Sequence, residues 1–153
     1  MALPAGTTEA GHEIQFGINY VGHFLLTKLL LPTLLKTALE PDADVRLVTV
    51  SSTVSGIAPP LEDWFSTEKM NKYNTFYRYA ASKAASIAFT TELARRHPEI
   101  MAVSLHPGVV VSDLWATMNN KNPILTRAIA LTIGLQNQEP TTSSGQQLFQ
   151  ETN

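Results

Sequence analysis

Apolar residues in "EIQFGINYVGHFLLTKLLLPTLLKTALE" recur at mixed three- and four-residue spacings, among them Ile14, Ile18, Val21, Leu25, Leu29 and Leu30. That is the period of a helix with a wide apolar surface. The spacing predicts a helix over Glu13 to Glu40, with "FLLTKLLLPTLL" as a buried face and Pro32 as a kink or the start of a new turn. "PDAD" then reads as a turn. "VRLVTVSS" is short, β-branched and apolar on both faces, the pattern of a buried strand in a parallel sheet. A long polar loop is predicted from Thr53 to about Thr75, either functional or an insertion. The Ala-rich stretch from Phe76 to Arg96 returns to the helical period, and "RRHP" ends it. "IMAVSLHPG" reads as a second buried strand, stopped by Pro107 and Gly108. "VVVSDLWATMNNKNP" is read as loop or short helix and "ILTRAIALTIGL" as helix. "EPTTSSGQQLFQETN" opens another helix, with Thr141 or Thr142 as its cap.

The order helix, strand, helix, strand, helix, helix implies an α/β fold with a parallel sheet, helices on both faces and right-handed crossovers. Two strands are few for such a sheet, which needs neighbours on both edges. The pattern therefore reads as part of a larger domain.

Composition narrows the partners. The chain has 153 residues, of which 44% are hydrophobic and 16% charged, as suits one compact domain. The net charge of −2 and the lack of basic runs give no reason to expect nucleic acid or an anionic membrane as partner. Cysteine is absent, which removes disulfides, thiolate nucleophiles and zinc–thiolate sites. No metal site is expected. The same absence fits a reducing compartment, and a cytoplasmic location is expected. "MALPAGTTEAGHE" lacks the basic start and continuous apolar run of a signal peptide. The most apolar stretch is interrupted by Lys28 and Pro32, so no membrane span is expected.

The candidate chemistry lies in "YRYAASKAA". Of Tyr73, Tyr77 and Tyr79, only Tyr79 has a lysine four residues on, at Lys83. In a helix that spacing puts both side chains on one face. A free tyrosine ionises near about pH 10, too high for a base at neutral pH. A nearby ammonium favours the phenolate, and each unit of pKa corresponds to roughly 1.4 kcal/mol. A tyrosine tuned in this way exchanges a proton with a carbonyl or alcohol oxygen. The spacing alone occurs by chance in many helices, so its context matters. "VTVSS" is a strand ending in two serines just before this helix. Ligands of open α/β sheets bind at the carboxyl ends of the strands. A serine there can hold the reacting oxygen or merely cap a turn. "HPG", at the end of the second strand, opens space at the same edge or simply turns the chain.

The segments "INYVGHFLLTKLLLP", "RLVTVSS", "YAASKAA" and "HPGVVVSDL", in this order, resemble the short-chain dehydrogenase/reductase family over nearly the whole chain. The wording is most like the retinol-dehydrogenase and WW-domain-oxidoreductase branch, and fungal reductases share it. The resemblance implies a partial Rossmann-like, doubly wound fold. It also implies hydride transfer between NADP or NAD, with NADP preferred, and a small carbonyl or secondary-alcohol substrate. Tyr79 matches the catalytic acid/base. Lys83 matches the lysine that lowers the tyrosine pKa and bonds the nicotinamide ribose. Ser52 matches the serine that holds the substrate oxygen, with Ser51 in its place if the strand register slips by one. Asn19 matches the asparagine of a helix kink that helps hold a water beside the lysine; it is otherwise an interhelix hydrogen bond. Pro107 and Gly108 match the loop beside the nicotinamide, and Val110 a backbone contact to the carboxamide. Ser112 stands where the family often has threonine. Dimerisation through the two long helices, Glu13 to Glu40 and Phe76 to Arg96, is implied as well. His23 and His106 are expected to be structural, and His12 and His97 to lie on the surface. Trp64 is expected to pack, and Trp115 either to pack or to line a substrate pocket.

The resemblance also sets an expectation of absence. The family's TGxxxGxG turn lets the backbone approach a pyrophosphate at a helix N-terminus. The eight glycines here form no such pattern. The chain is accordingly expected to be a single partial domain over residues 1–153, truncated at both ends and lacking the nucleotide-binding half. It is further expected to leave an apolar strand edge and helix faces uncovered, and so to be marginally stable alone. The same absence supports a second reading, a non-catalytic dimerisation module. A serine hydrolase ranks lower for want of a Gly-x-Ser-x-Gly elbow.

Overall fold

The computed structural model describes residues 3–108; Val110, Ser112, Trp115 and the two helices expected near the C-terminus lie outside them. The chain divides into two units, Met1–Pro107 and Gly108–Asn153, and the architecture below is that of the first.

An N-terminal arm turns back on itself at Gly11, whose φ of 86° lies in the left-handed region that glycine adopts freely. An antiparallel bridge joins Thr7 to Glu13. Helix α1 then runs over Ile14–Ala38. Its cap is the Glu13 carboxylate, which accepts from the Phe16 N–H at 2.8 Å. The arm packs so closely on α1 that a Cβ on Gly17 would stand 2.7 Å from the Thr8 methyl. Over Gly17–Val21 the helix widens into a π turn. Pro32 lies inside the helix, which continues through it to Ala38.

Two parallel strands follow, β1 (Arg46–Val50) and β2 (Met101–Leu105), paired from Arg46↔Met101 to Val50↔Leu105. Between them lie two 3₁₀ turns, Thr53–Ile57 and Leu61–Asp63, a short helix α2 (Thr67–Met70) and the long helix α3 (Thr75–Arg96). The loop expected from Thr53 to Thr75 is therefore ordered by local bonds. Asp63 accepts from Lys69 Nζ and from the Tyr73 hydroxyl, both at 2.7 Å, and Trp64 Nε1 donates to the Pro59 carbonyl at 2.8 Å. Helix α3 begins where Asn74 Oδ1 accepts from the N–H groups of Phe76 and Tyr77. It ends on Arg95 and Arg96, both paired with Glu92.

The core is built on small residues. Ala81 and Ala85 of α3 let Phe16 and Met70 close against that helix, with Tyr20, Val21, Trp64 and Tyr73 packed around them. Trp64 thus packs, as expected. Phe24 and Phe89 meet edge to face at 5.2 Å, extending the α1–α3 contact. Thr90 Oγ1 donates to the Ser86 carbonyl and accepts from Thr49 Oγ1 at 2.9 Å, tying α3 to β1.

Two burial expectations fail. The stretch "FLLTKLLLPTLL" is not a buried face: Leu25, Leu26, Leu29 and Leu30 are exposed, Leu29 by 69%. The strands are only partly covered, and on one side, and Val48 is 52% exposed. The described elements cover one face of the sheet and one side of α1, so the periodicity placed the apolar residues correctly but not what covers them. Helix α1 is also long and apolar enough to cross a bilayer by length and composition, with a hydropathy of 1.3 in its most apolar window. The sequence had spoken against a span because of Lys28 and Pro32. An apolar helix packed on protein passes the same test, and α1 carries polar ties to α3 through Glu13, Gln15 and Asn19.

Candidate active site

Helix α3 carries Tyr79 and Lys83 on one face, next to the carboxyl end of β1. The Lys83 ammonium sits 5.6 Å from the centroid of the Tyr79 ring. This spacing is within cation–π range. Lys83 Nζ donates to the Val50 carbonyl, the last residue of β1, at 2.9 Å. The strand end therefore aims the lysine, and two of its three donor hydrogens stay available.

The serine pair divides its work. Ser51 is buried and its hydroxyl donates to the Lys83 carbonyl at 2.9 Å, fixing α3 to the strand end. Ser52 caps the following 3₁₀ turn by accepting from the Val54 N–H at 3.3 Å. Its side chain also lies close enough to the Tyr79 phenol to favour the ionised form. Ser52 rather than Ser51 is thus the serine beside the phenol.

Burial pushes the Tyr79 phenol above the ordinary tyrosine range, and the neighbouring Ser52 hydroxyl offsets only part of that. Burial also holds the Lys83 ammonium below the usual lysine range. Desolvation of the half-buried phenol is the largest cause of its shift, and the Lys83 ammonium is itself half-buried and bonded to a backbone carbonyl.

Asn19 lies in the π turn, the local irregularity expected of it. Its Nδ2 donates to Ser82 Oγ on α3 at 3.2 Å, so it makes the interhelix hydrogen bond. His23 bonds the Asn19 carbonyl through Nδ1 at 2.9 Å, a structural use of that histidine. His106 and Pro107 follow β2 and are exposed. His97 is half-buried beside Glu99, not on the open surface. Gly108 has a φ of 82°, a conformation suited to glycine.

Sequence reasoning missed the most buried polar group beside Tyr79. Arg78 and Glu13 form an ion pair at 2.8 Å, with side chains only 4% and 1% exposed. Arg78 also donates to the carbonyls of Pro4 and Leu3, at 3.1 and 2.8 Å. One guanidinium thus ties the arm, the start of α1 and the start of α3. The available signal was an arginine set among alanines and tyrosines, which a solvated helix face does not require.

The groups present fit the nicotinamide-ribose end of a dinucleotide: a phenol, an ammonium with free donors and a serine hydroxyl meet at one strand end. Among the described residues no glycine-rich turn follows a strand, so nothing described here fits the pyrophosphate.

No family profile matches the chain. It is 40% identical over 116 residues to mouse retinol dehydrogenase 13, covering 74% of this chain and 33% of that protein. It is 43% identical to human retinol dehydrogenase 14, over 72% of this chain and 32% of that protein. A short-chain dehydrogenase/reductase of Emericella nidulans is 38% identical over 137 residues, 85% of this chain and 44% of its own. A crystal structure of an uncharacterized protein from Mycobacterium paratuberculosis superposes with a TM-score of 0.59 at 31% identity, over 91% of this chain and 47% of that one. The chain belongs to the short-chain dehydrogenase/reductase family of oxidoreductases. It spans about a third to under half of the length of these relatives.

Proposed function

We propose that the chain supplies the acid/base machinery of an oxidoreductase that moves a hydride between NADP(H) or NAD(H) and a carbonyl or secondary alcohol. NADP is the preferred cofactor. The observation that carries this reading is the meeting of Tyr79, Lys83 and Ser52 at the carboxyl end of β1. When bound, the nicotinamide would supply or accept the hydride. Lys83 and Tyr79 would hold its ribose, and the family resemblance adds Pro107, Gly108, Val110 and Ser112 as further cofactor contacts.

In reduction, the Tyr79 phenol passes its proton to the carbonyl oxygen while the Ser52 hydroxyl donates a hydrogen bond to that oxygen. The Lys83 ammonium beside the ring stabilises the phenolate left behind. Oxidation runs the same proton in reverse. A phenol pushed above its ordinary pKa carries its proton at neutral pH, which suits reduction. The relatives' names, retinol dehydrogenases, make retinol and retinaldehyde the first substrates to test. Turnover of NADPH with retinaldehyde by a version extended to the length of its relatives, lost in Tyr79→Phe, tests the reading; equal rates would refute it.

A second reading has its own observation. Leu25, Leu26, Leu29 and Leu30 form an exposed ridge on α1 that would suit pairing of two copies through the long helices. In that reading the chain is a dimerisation module without turnover. NADPH binding separates the two: micromolar binding favours the enzyme, and no binding favours the module. The absence of cysteine supports a reducing, cytoplasmic location, and cell fractionation tests it.

A further inference from the structure

One guanidinium fastens the start of α3, where Tyr79 sits in the second turn. Arg78 Nη1 donates to Glu13 Oε1 at 2.8 Å and to the Pro4 carbonyl at 3.1 Å, and Nη2 donates to the Leu3 carbonyl at 2.8 Å. A carboxylate from the start of α1 and two carbonyls from the arm thus converge on one planar fork, a geometry that suits arginine and not lysine. The Arg78 side chain is 4% exposed, so a bond lost here finds little water in exchange. Gln15 Nε2 adds bonds to the Thr75 carbonyl and hydroxyl, at 3.1 and 3.2 Å, in the same first turn of α3. Further along, α3 is tied to the strand end, where the Ser51 hydroxyl donates to the Lys83 carbonyl and Lys83 Nζ donates to the Val50 carbonyl. Tyr79 lies between these two anchorages, directly after Arg78.

We propose that Arg78 is a positioning residue that makes the N-terminal arm a support for Tyr79. The pairing with Glu13 neutralises the buried charge, and the bonds to Leu3 and Pro4 dock the arm against the start of α3. Successive side chains of a helix point about 100° apart, so Arg78 anchors one side of the turn and the phenol beside it is left to face Lys83 and the strand end. Undocking the arm removes the two carbonyl bonds of Arg78, and the turn can then open locally while the rest of the helix stays folded. The phenol follows its backbone out of that position. The inference rests on Tyr79 being the acid/base, but its test reads where the phenol is held and needs no turnover.

The experiment makes two measurements on the full chain: hydrogen exchange of the arm amides, and acetylation of each tyrosine by N-acetylimidazole, read by peptide mass spectrometry. Tyr20, packed on the core around Phe16, is the internal control. Arg78→Lys keeps a counter-charge for Glu13 but cannot span both carbonyls. It is expected to speed exchange in the arm and acetylation of Tyr79, with Tyr20 as in the parent chain. A chain beginning at Ala5 removes both carbonyls and leaves Arg78 paired with Glu13. It should raise Tyr79 acetylation to the same degree, and adding Arg78→Lys to it should raise it no further. Where Arg78→Lys does not fold by circular dichroism, the shortened chain carries the test. Unchanged Tyr79 acetylation in a chain whose arm exchanges faster would overturn the proposal. A parallel rise at Tyr79 and Tyr20 would overturn it too, since that is general loosening. If Tyr79→Phe in a version extended to the length of the relatives keeps turnover while acetylation responds as expected, the acid/base reading fails and the arm's hold on that turn stands.

Discussion

At the scale of single residues, the site is a balance between burial and hydrogen bonding. Tyr79 is held above its ordinary pKa because the phenol is partly desolvated, and the neighbouring Ser52 hydroxyl offsets only part of that. Two predictions follow from this balance. Removing the hydroxyl in Ser52→Ala deletes a donor to the substrate oxygen and a cap on the Thr53–Ile57 turn. Turnover should fall by about two orders of magnitude, by analogy with the loss of one oxyanion donor, while the melting midpoint shifts only as far as a lost cap worth about 1 kcal/mol allows. Steady-state kinetics and a melting curve measured together check both parts; a fall in stability with intact turnover would speak against the role. For pH, the sign is set by a raised folded-state pKa. Tyrosine is neutral when protonated, so its contribution to stability is complete below the unfolded value near about 10 and is lost as pH rises through the higher folded value. Oxidation of an alcohol, which needs the phenolate, should therefore speed up with pH into the alkaline range, whereas reduction should hold level from neutral pH upward until that ionisation. A pH–rate profile in both directions, flat for oxidation, would contradict the assignment.

At the scale of elements, the two long helices and two strands were legible in the sequence to within a residue or two at their ends. Strong periodicity and the "RRHP" stop mark them plainly. The loop between Thr53 and Thr75 was not legible, because its order comes from a hub on Asp63 and from the burial of Met70, neither of which has a period. Tyr79, Lys83, Ser52 and Asn19 could be picked out as a set because motif and order carried them. The Glu13–Arg78 pair could not, since its partners stand 65 residues apart and no local pattern links them. That pair gives the sharpest prediction for the elements. Glu13→Ala leaves a guanidinium buried without its counter-charge, which typically costs about 3–5 kcal/mol. A chain of this size should then be largely unfolded at room temperature by circular dichroism. Replacing both residues by apolar ones, Glu13→Leu with Arg78→Leu, should be less damaging than Glu13→Ala alone. Equal stability of Glu13→Ala and the parent chain would show that the ion pair does not join arm and helices in solution.

At the scale of the molecule, the described unit has one well-packed side and one open side. The small residues of α3 close the first around Phe16 and Met70, while the second exposes the leucine ridge of α1 and one face of β1 and β2. Contiguous apolar surface of this kind marks a place where something packs. The isolated chain should bind an apolar fluorescent dye and self-associate as concentration rises. Leu29→Glu with Leu25→Glu should reduce both without changing the α1–α3 packing, because both side chains point away from it. Sedimentation velocity with dye titration checks this, and a monomer that leaves the dye dark would contradict the open face. The chemistry and the open face belong to different sides of the same helices, so their tests are independent.

The central claim is that Tyr79, aimed by Lys83 and Ser52, transfers the proton. The most direct measurement is NADPH binding and carbonyl turnover by a version extended to the length of its relatives, so that it carries a nucleotide-binding half, and by its Tyr79→Phe variant, side by side. The account predicts micromolar NADPH binding by both. It predicts turnover reduced by at least about 10²-fold in the variant, the usual share of a general acid. Equal turnover by the two, or no NADPH binding by either, would contradict it.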